Sequence, residues 1–471
     1  MTSSLPRIIQ GGMGVGVSST TLANTVSKSG QLGVVSGTAL AITFARRLMQ
    51  KGNEIYEEAM KHFPFKKTIE RIQARFHPKE AHEPFRMVEM PSIHPSEDLN
   101  ELIVVANFVE VHLAKKGHKG VVGINFLEKI QFPTLASIYG AILAGVDYIL
   151  MGAGIPHRMP EIIRKLTKHE DVMLPIKIAQ ETEHTIEMSS FSPLSFSKGE
   201  SLPELKRPQF LAIVGSHTLA TYLTKSEFGS PDGFVVELPI AGGHNAPPRG
   251  KYPLTETGEP IYGERDLVDF EALRALNLPF WLAGGFGDHT GLKKALELGA
   301  VGIQVGTAFA FSNESGFEPE LKKQVLEQVL NGKVRVKTDI KASPTGFPFK
   351  VAEIEGTLSD ETTYQARKRI CDLGYLREAY RKENGSIGYR CPSEPVEDYV
   401  RKGGKVEDTV GRKCLCNGLV AGIGLGQIRK DGSTEKHLVT SGDHLNGLKP
   451  LIDPKTYSYS ATQVLHYLLN S

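Results

Sequence analysis

The chain has 471 residues, 40% hydrophobic and 23% charged, a composition that supports a packed core and excludes a disordered chain. Against 53 Asp and Glu, 55 Lys and Arg leave a formal charge of +2, too even a balance for a nucleic-acid-binding surface. No run reaches the roughly 20 apolar residues of a membrane span, and the N-terminus MTSSLPRIIQGGMG lacks the basic-then-apolar pattern of a secretory leader. The expectation is a cytoplasmic protein with no membrane or nucleic-acid partner.

Short apolar runs alternate with helix-length amphipathic segments as far as about residue 310, the pattern of repeated βα units on a parallel sheet. The predicted strands are Arg7–Gln10, Leu32–Ser36, Val121–Phe126, Tyr148–Met151, Phe210–Ser216, Phe234–Leu238, Phe280–Ala283 and Gly302–Val305. Runs such as FVVEL and FWLAG are continuously apolar, as parallel strands buried on both faces should be. An open doubly wound sheet shows the same alternation, but eight strands with phosphate-type loops late in the chain favour an α/β fold of the (β/α)8 barrel kind. Two links, residues 42–100 and 177–209, are too long for plain βα connections and read as insertions able to cover a site. The run LPIKIA, Leu174–Ala179, is a further strand candidate that would displace one of the eight.

The first strand runs into QGGMGVGVS, whose small residues let a flat ring lie against backbone. Strand six leads into IAGGHNAPPRG, where His244 follows Gly242 and Gly243 at the catalytic mouth of a barrel. An imidazole there titrates near neutrality and serves as acid or base. His217, after strand five at the same mouth, reads first as the start of a helix, with a supporting place behind the catalytic group as the alternative. Strand seven leads through Gly284, Gly285 and Gly287 into the helical LKKALEL, and strand eight ends at Gly306 and Thr307. Bare backbone N–H groups in such loops can point at a phosphate. Glycines after strands equally serve turn geometry alone, so the two loops together carry more weight than either singly.

IIQGGMG, GIN, AGGH, AGGFGD and GIQVGTAF follow one another in that order, and over about residues 5–350 the chain resembles the nitronate monooxygenase family, formerly the 2-nitropropane dioxygenases, which includes FMN-dependent enoyl-ACP reductases. The resemblance implies an FMN-binding barrel with His244 as the catalytic residue. Gly11, Gly12, Met13 and Asn125 would line the flavin, and Gly284, Gly285, Gly306 and Thr307 would hold its phosphate. Gly242, Gly243, Gly287 and Gln304 complete the cofactor-binding set. The implied reaction is oxidation of alkyl nitronates with molecular oxygen. The alternative is an NAD(P)H-dependent enoyl-thioester or quinone reductase on the same barrel, and the alternative of another class is a non-catalytic ligand-binding or scaffold protein. The chain departs from the family at Gly12, where proline is common, at NAPPRG after His244, and in its insertions and tail.

From Gly332 the pattern changes to Pro, Gly, Lys and Cys punctuation, so residues 1–331 are expected to form the barrel and 332–471 a lid and tail. ASPTGFPFK, Ala342–Lys350, is placed to fold back over the flavin. All four cysteines, Cys371, Cys391, Cys414 and Cys416, fall in the tail, so no cysteine is expected for catalysis in the barrel. Together they are candidate ligands for zinc or an iron–sulfur centre, although only CLC has close spacing and buried free thiols are the competing reading.

Overall fold

The computed structural model describes residues 5–179 and 186–470. Eight parallel strands form one sheet: β1 Ile8–Gln10, β2 Gly33–Ser36, β3 Val122–Leu127, β4 Tyr148–Gly152, β5 Gln209–Val214, β6 Gly233–Glu237, β7 Phe280–Ala283 and β8 Gly302–Val305. They neighbour one another in chain order, and β8 returns to pair with β1. Leu32 closes the ring against β1, donating its N–H to Ile8 O at 3.0 Å and accepting from Gln10 N at 2.9 Å. The eight strands are those the apolar runs predict.

A strand turns successive side chains to opposite faces, which sorts each apolar run into two cores. Ile9, Val34, Leu150, Leu211, Val235 and Trp281 pack together inside the barrel. Their chain neighbours Ile8, Val35, Ile149, Phe210, Val236 and Leu282 pack outward on the helices. The Trp281 indole N–H, fully buried, donates to Pro6 O at 2.7 Å, which satisfies the one polar atom of that side chain. Helices begin where a hydroxyl accepts from the first turn: Ser19 from Leu22 N, Ser96 from Leu99 N and Ser216 from Leu219 N. His217 is accordingly the first residue of helix His217–Thr224, capped by Ser216.

LPIKIA does not enter the barrel. Val172–Ile176 pairs antiparallel with Glu187–Phe191, and Ile178–Ala179 pairs with the tail strand Glu378–Arg381. Residues 180–185 of the second expected insertion lie outside the described residues. The first insertion forms helices Leu40–Leu48, Glu54–Met60 and Lys66–Arg75 before the long, mostly buried helix Glu97–Lys115. Beyond helix Pro319–Leu330, the tail builds an antiparallel hairpin, Val336–Asp339 with Phe349–Ala352, and ends in helix Ala461–Leu469 against helix Thr20–Lys28. Tail residues such as Tyr375, Val420 and Leu465 share one buried apolar cluster with the barrel's outer layer. Among the described residues no helix is long and apolar enough to cross a membrane.

Candidate functional site

A cavity of about 450 Å³ opens at the C-terminal ends of the barrel strands, the end at which barrel enzymes carry their chemistry. Its floor is the uppermost layer of inward-facing residues: Asn125 on β3, Gly152 on β4, Ile213 on β5, Glu237 on β6, Ala283 on β7 and Gln304 on β8. The loops that follow the strands make the walls. Gly11, Gly12, Met13, Gly242, Gly243, His244, Gly284, Gly285, Gly287, Gly306 and Thr307 all line it, so the structure brings His244 and the expected cofactor-binding residues to one cavity.

Two positions show why glycine stands where it does. A Cβ on Gly12 would lie 2.1 Å from Asn125 Cβ; proline, usual there in the family, cannot fit beside that asparagine in this backbone. Gly284 has φ of +80°, and a Cβ there would meet Leu238 O at 2.8 Å, so the loop turns sharply and keeps its backbone open to the cavity. Asn125 spends its amide N–H on Gly12 O at 3.3 Å. Its Oδ1 and Gln304 Oε1 are buried acceptors without a partner. Unsatisfied buried acceptors are costly, and a planar ring with an N–H edge is a group that would satisfy them. The residues present therefore fit a flavin, with the Gly284–Gly287 and Gly306–Thr307 backbone at its phosphoryl end.

His244 is held by the tail. Its Nε2 lies 2.7 Å from Ser343 Oγ, its ring meets Phe349 edge-on at 4.7 Å, and its backbone bridges to Phe349. Ser343 in turn bonds Thr345 Oγ1 at 2.8 Å. Burial, aided by the charge of Lys129, pushes the imidazole well below its ordinary range. The expected titration near neutrality is thus corrected: a charged ring is disfavoured in this enclosure, and His244 is neutral.

The tail supplies the roof. Thr440 Oγ1 accepts from Gly243 N and Thr307 Oγ1 accepts from Gly442 N, both at 3.0 Å. The buried Lys350 ammonium reaches Asp443 at 2.7 Å. Tyr375, Leu376, Cys416 and Leu419 close the apolar side. No residue of 42–100, and none of the described residues of 177–209, lines the cavity, so the covering comes from the tail instead of from the expected insertions. The run TSGDHLNG holds ordinary turn formers, and nothing in its local pattern announces a partner more than a hundred residues away. His217 lies elsewhere, its Nδ1 accepting from Asp269 N at 3.2 Å.

The cysteines converge around a second, small pocket, and Cys416 borders the main cavity as well, which brings one thiol to a mouth where none was expected. Among the described residues no group of three or more His, Cys, Asp or Glu side chains is arranged to hold a metal ion. Burial pushes the Cys371 thiol up to about 12 and raises those of Cys391, Cys414 and Cys416 as well. The zinc or iron–sulfur expectation therefore finds no support among the described residues.

Residues 161–347 match the family model described as nitronate monooxygenase. Among curated proteins the chain is similar to a probable nitronate monooxygenase of Bacillus subtilis strain 168, 38% identical over 128 residues that make up 27% of this chain and 35% of that protein. A probable nitronate monooxygenase of Staphylococcus saprophyticus is 31% identical over 139 residues, 29% of this chain and 38% of that protein. The chain thus spans little more than a third of the length of these relatives. The solved structure of FabK from Thermotoga maritima aligns with 99% of this chain and 93% of its own at 16% identity, with a TM-score of 0.47. Over the matched region, which carries the AGGH, AGGFGD and GIQVGTAF motifs, the chain is similar to the nitronate monooxygenase family.

Proposed function

We propose that the chain is an FMN-dependent oxidoreductase that oxidises alkyl nitronates with molecular oxygen. The observation that carries this reading is the convergence of the glycine loops, Asn125, Gln304 and His244 on one cavity at the barrel mouth, together with the family match. Gly284, Gly285, Gly287, Gly306 and Thr307 would hold the phosphate, and Gly11 to Met13, Asn125, Gln304, Gly242 and Gly243 the ring. Bound there, FMN supplies the two-electron chemistry that no side chain of the cavity provides.

His244 handles the substrate proton. In the tautomer whose Nε2–H donates to Ser343 Oγ, the other ring nitrogen, Nδ1, would carry the free lone pair that accepts the Cα proton of a neutral nitroalkane. Burial keeps the ring unprotonated as it enters the reaction, at the cost of a weaker base. The apolar roof excludes water from the reacting atoms.

The test begins with the flavin. Purified protein should be yellow, or become so with added FMN, and FMN should raise its unfolding temperature. A protein that stays colourless and gains no stability with excess FMN overturns the reading. Fast turnover of nitronates with slow bleaching by anaerobic NAD(P)H is the expected pattern, and the reverse assigns the cavity to an enoyl-thioester or quinone reductase. His244→Asn should retain FMN and lose about a hundredfold or more on neutral nitroalkanes. Unchanged turnover removes the imidazole from the chemistry.

A further inference from the structure

Strand alternation leaves one ionisable side chain on the cavity floor. Along β6, Phe234 and Val236 face the helices and Val235 faces the lumen, so Glu237, the last residue, turns inward beneath the cavity and lines it. Its neighbours on the adjoining strands, Ile213 and Ala283, are apolar. Among the described residues no hydrogen bond or ion pair engages its carboxyl. An apolar side chain at that position would pack without penalty, whereas a carboxyl there is costly.

One cation stands behind it. Lys129 follows β3, its ammonium nitrogen buried without a hydrogen-bond partner and covered by the Phe347 ring at 3.8 Å. Its charge acts on both Glu237 and His244. The cavity's other ionisable groups, the exposed His444 aside, are engaged or shifted by burial. Asp288 is held by Thr290 and Asp443 by Lys350; His444 is exposed; burial raises Tyr375 and Cys416.

We propose that Glu237 is a substrate-binding residue of this cavity, donating a hydrogen bond from its carboxyl to the oxygen of the reacting nitronate, with Lys129 as the positioning charge behind it. The inference rests on the functional reading above and goes beyond it by naming a second ionisable group that lines the cavity with His244. A neutral acid between the apolar Ile213 and Ala283 is a strong donor to an oxygen that carries negative charge. Burial pushes the Glu237 carboxyl up to about 7 against the pull of Lys129, and burial brings the Lys129 ammonium down to about 7. The floor therefore welcomes an anionic oxygen below neutrality and repels it above.

The experiment follows the pH dependence of kcat/KM for an alkyl nitronate in the FMN-loaded full chain, between about pH 5 and 9. The wild type should lose about tenfold per unit above neutrality. Glu237→Gln retains a donor: it should lower kcat/KM about threefold below neutrality and abolish the basic limb, while Glu237→Ala should cost about thirtyfold. Lys129→Met removes the charge that pulls the carboxyl down and should move the limb to higher pH. A basic limb that persists in Glu237→Gln, or an alanine variant indistinguishable from wild type, overturns the proposal.

A second readout separates this inference from the flavin reading. Infrared difference spectra of the flavin-free chain should show a protonated-carboxyl band that shifts on adding the nitronate and is missing in Glu237→Gln. Colourless protein that keeps this shift sinks the functional reading alone. Yellow protein without the shift sinks the role of Glu237 alone.

Discussion

The floor and the roof of the cavity are built by different physics. The floor comes from short-range rules: inward residues at every second strand position and glycine loops immediately after the strands. The roof comes from contacts across long sequence separations, such as Ser343 to His244, Thr440 to Gly243 and Gly442 to Thr307. The floor dictates which groups face a ligand, whereas the roof dictates how those groups are oriented and how dry they are kept. If the two form one cooperative unit, damage to either should be felt in both.

The most severe test strikes the roof away from the cavity. Leu438 is fully buried in the tail's own apolar cluster with Ala342, Phe349 and Leu415. Leu438→Ala should cost about 2–5 kcal/mol, and calorimetry should show a single transition shifted to lower temperature. Two transitions, with the barrel's unmoved, would break the picture of one unit. On the floor, Gly12→Ala places a methyl 2.1 Å from Asn125 Cβ, an overlap worth about 3 kcal/mol. It should also weaken FMN binding in a fluorescence titration, because relief requires Asn125 or the β1 loop to shift into the cavity.

The difference between floor and roof is also the measure of what could be read in advance. All eight strands were legible because parallel strands buried on both faces are continuous apolar runs, as in Phe234–Leu238. Gly284, His244 and Gly306 were legible because strand ends place the residues after them at the mouth. Glu237 was hidden although its position follows from the same alternation, since one carboxylate at a strand end looks like an ordinary exit to solvent. LPIKIA misled because an antiparallel partner at Glu187–Phe191 satisfies it outside the barrel. In the tail a lid was read only at Ala342–Lys350 and not at the turn-rich run around Thr440, and the cysteines suggested a metal site because spacing along the chain does not report how four thiols meet around a small pocket.

Ser343 gives a finer test of how the roof acts on the floor. It is fully buried and joins His244 Nε2 to Thr345. Ser343→Ala removes a small polar group without overpacking, leaving the imidazole unanchored and its nitrogen unsatisfied. The expected cost is about 1–2 kcal/mol in stability and on the order of tenfold in kcat for a neutral nitroalkane, with KM and FMN affinity nearly unchanged. A change in KM or FMN affinity alone would mean that the roof shapes the cavity without orienting its base.

The smallest expected effect separates packing from polar anchoring at the seam. Tyr459, from the segment leading into the last helix, is buried and donates its hydroxyl to Ala308 O at 2.8 Å, just after the Gly306–Thr307 loop. Tyr459→Phe keeps the ring and removes only the donor, leaving a buried carbonyl short of one partner. Denaturant unfolding should report a loss of about 1 kcal/mol, with the slope of the transition unchanged because the same surface is exposed. FMN affinity should then fall by no more than about threefold, since the loop backbone is still held by its own helix turn, with Phe309 N and Ala310 N bonded to Gly306 O. A larger loss of affinity at that small cost in stability would show that the tail sets the shape of the phosphate loop as well as the orientation of His244.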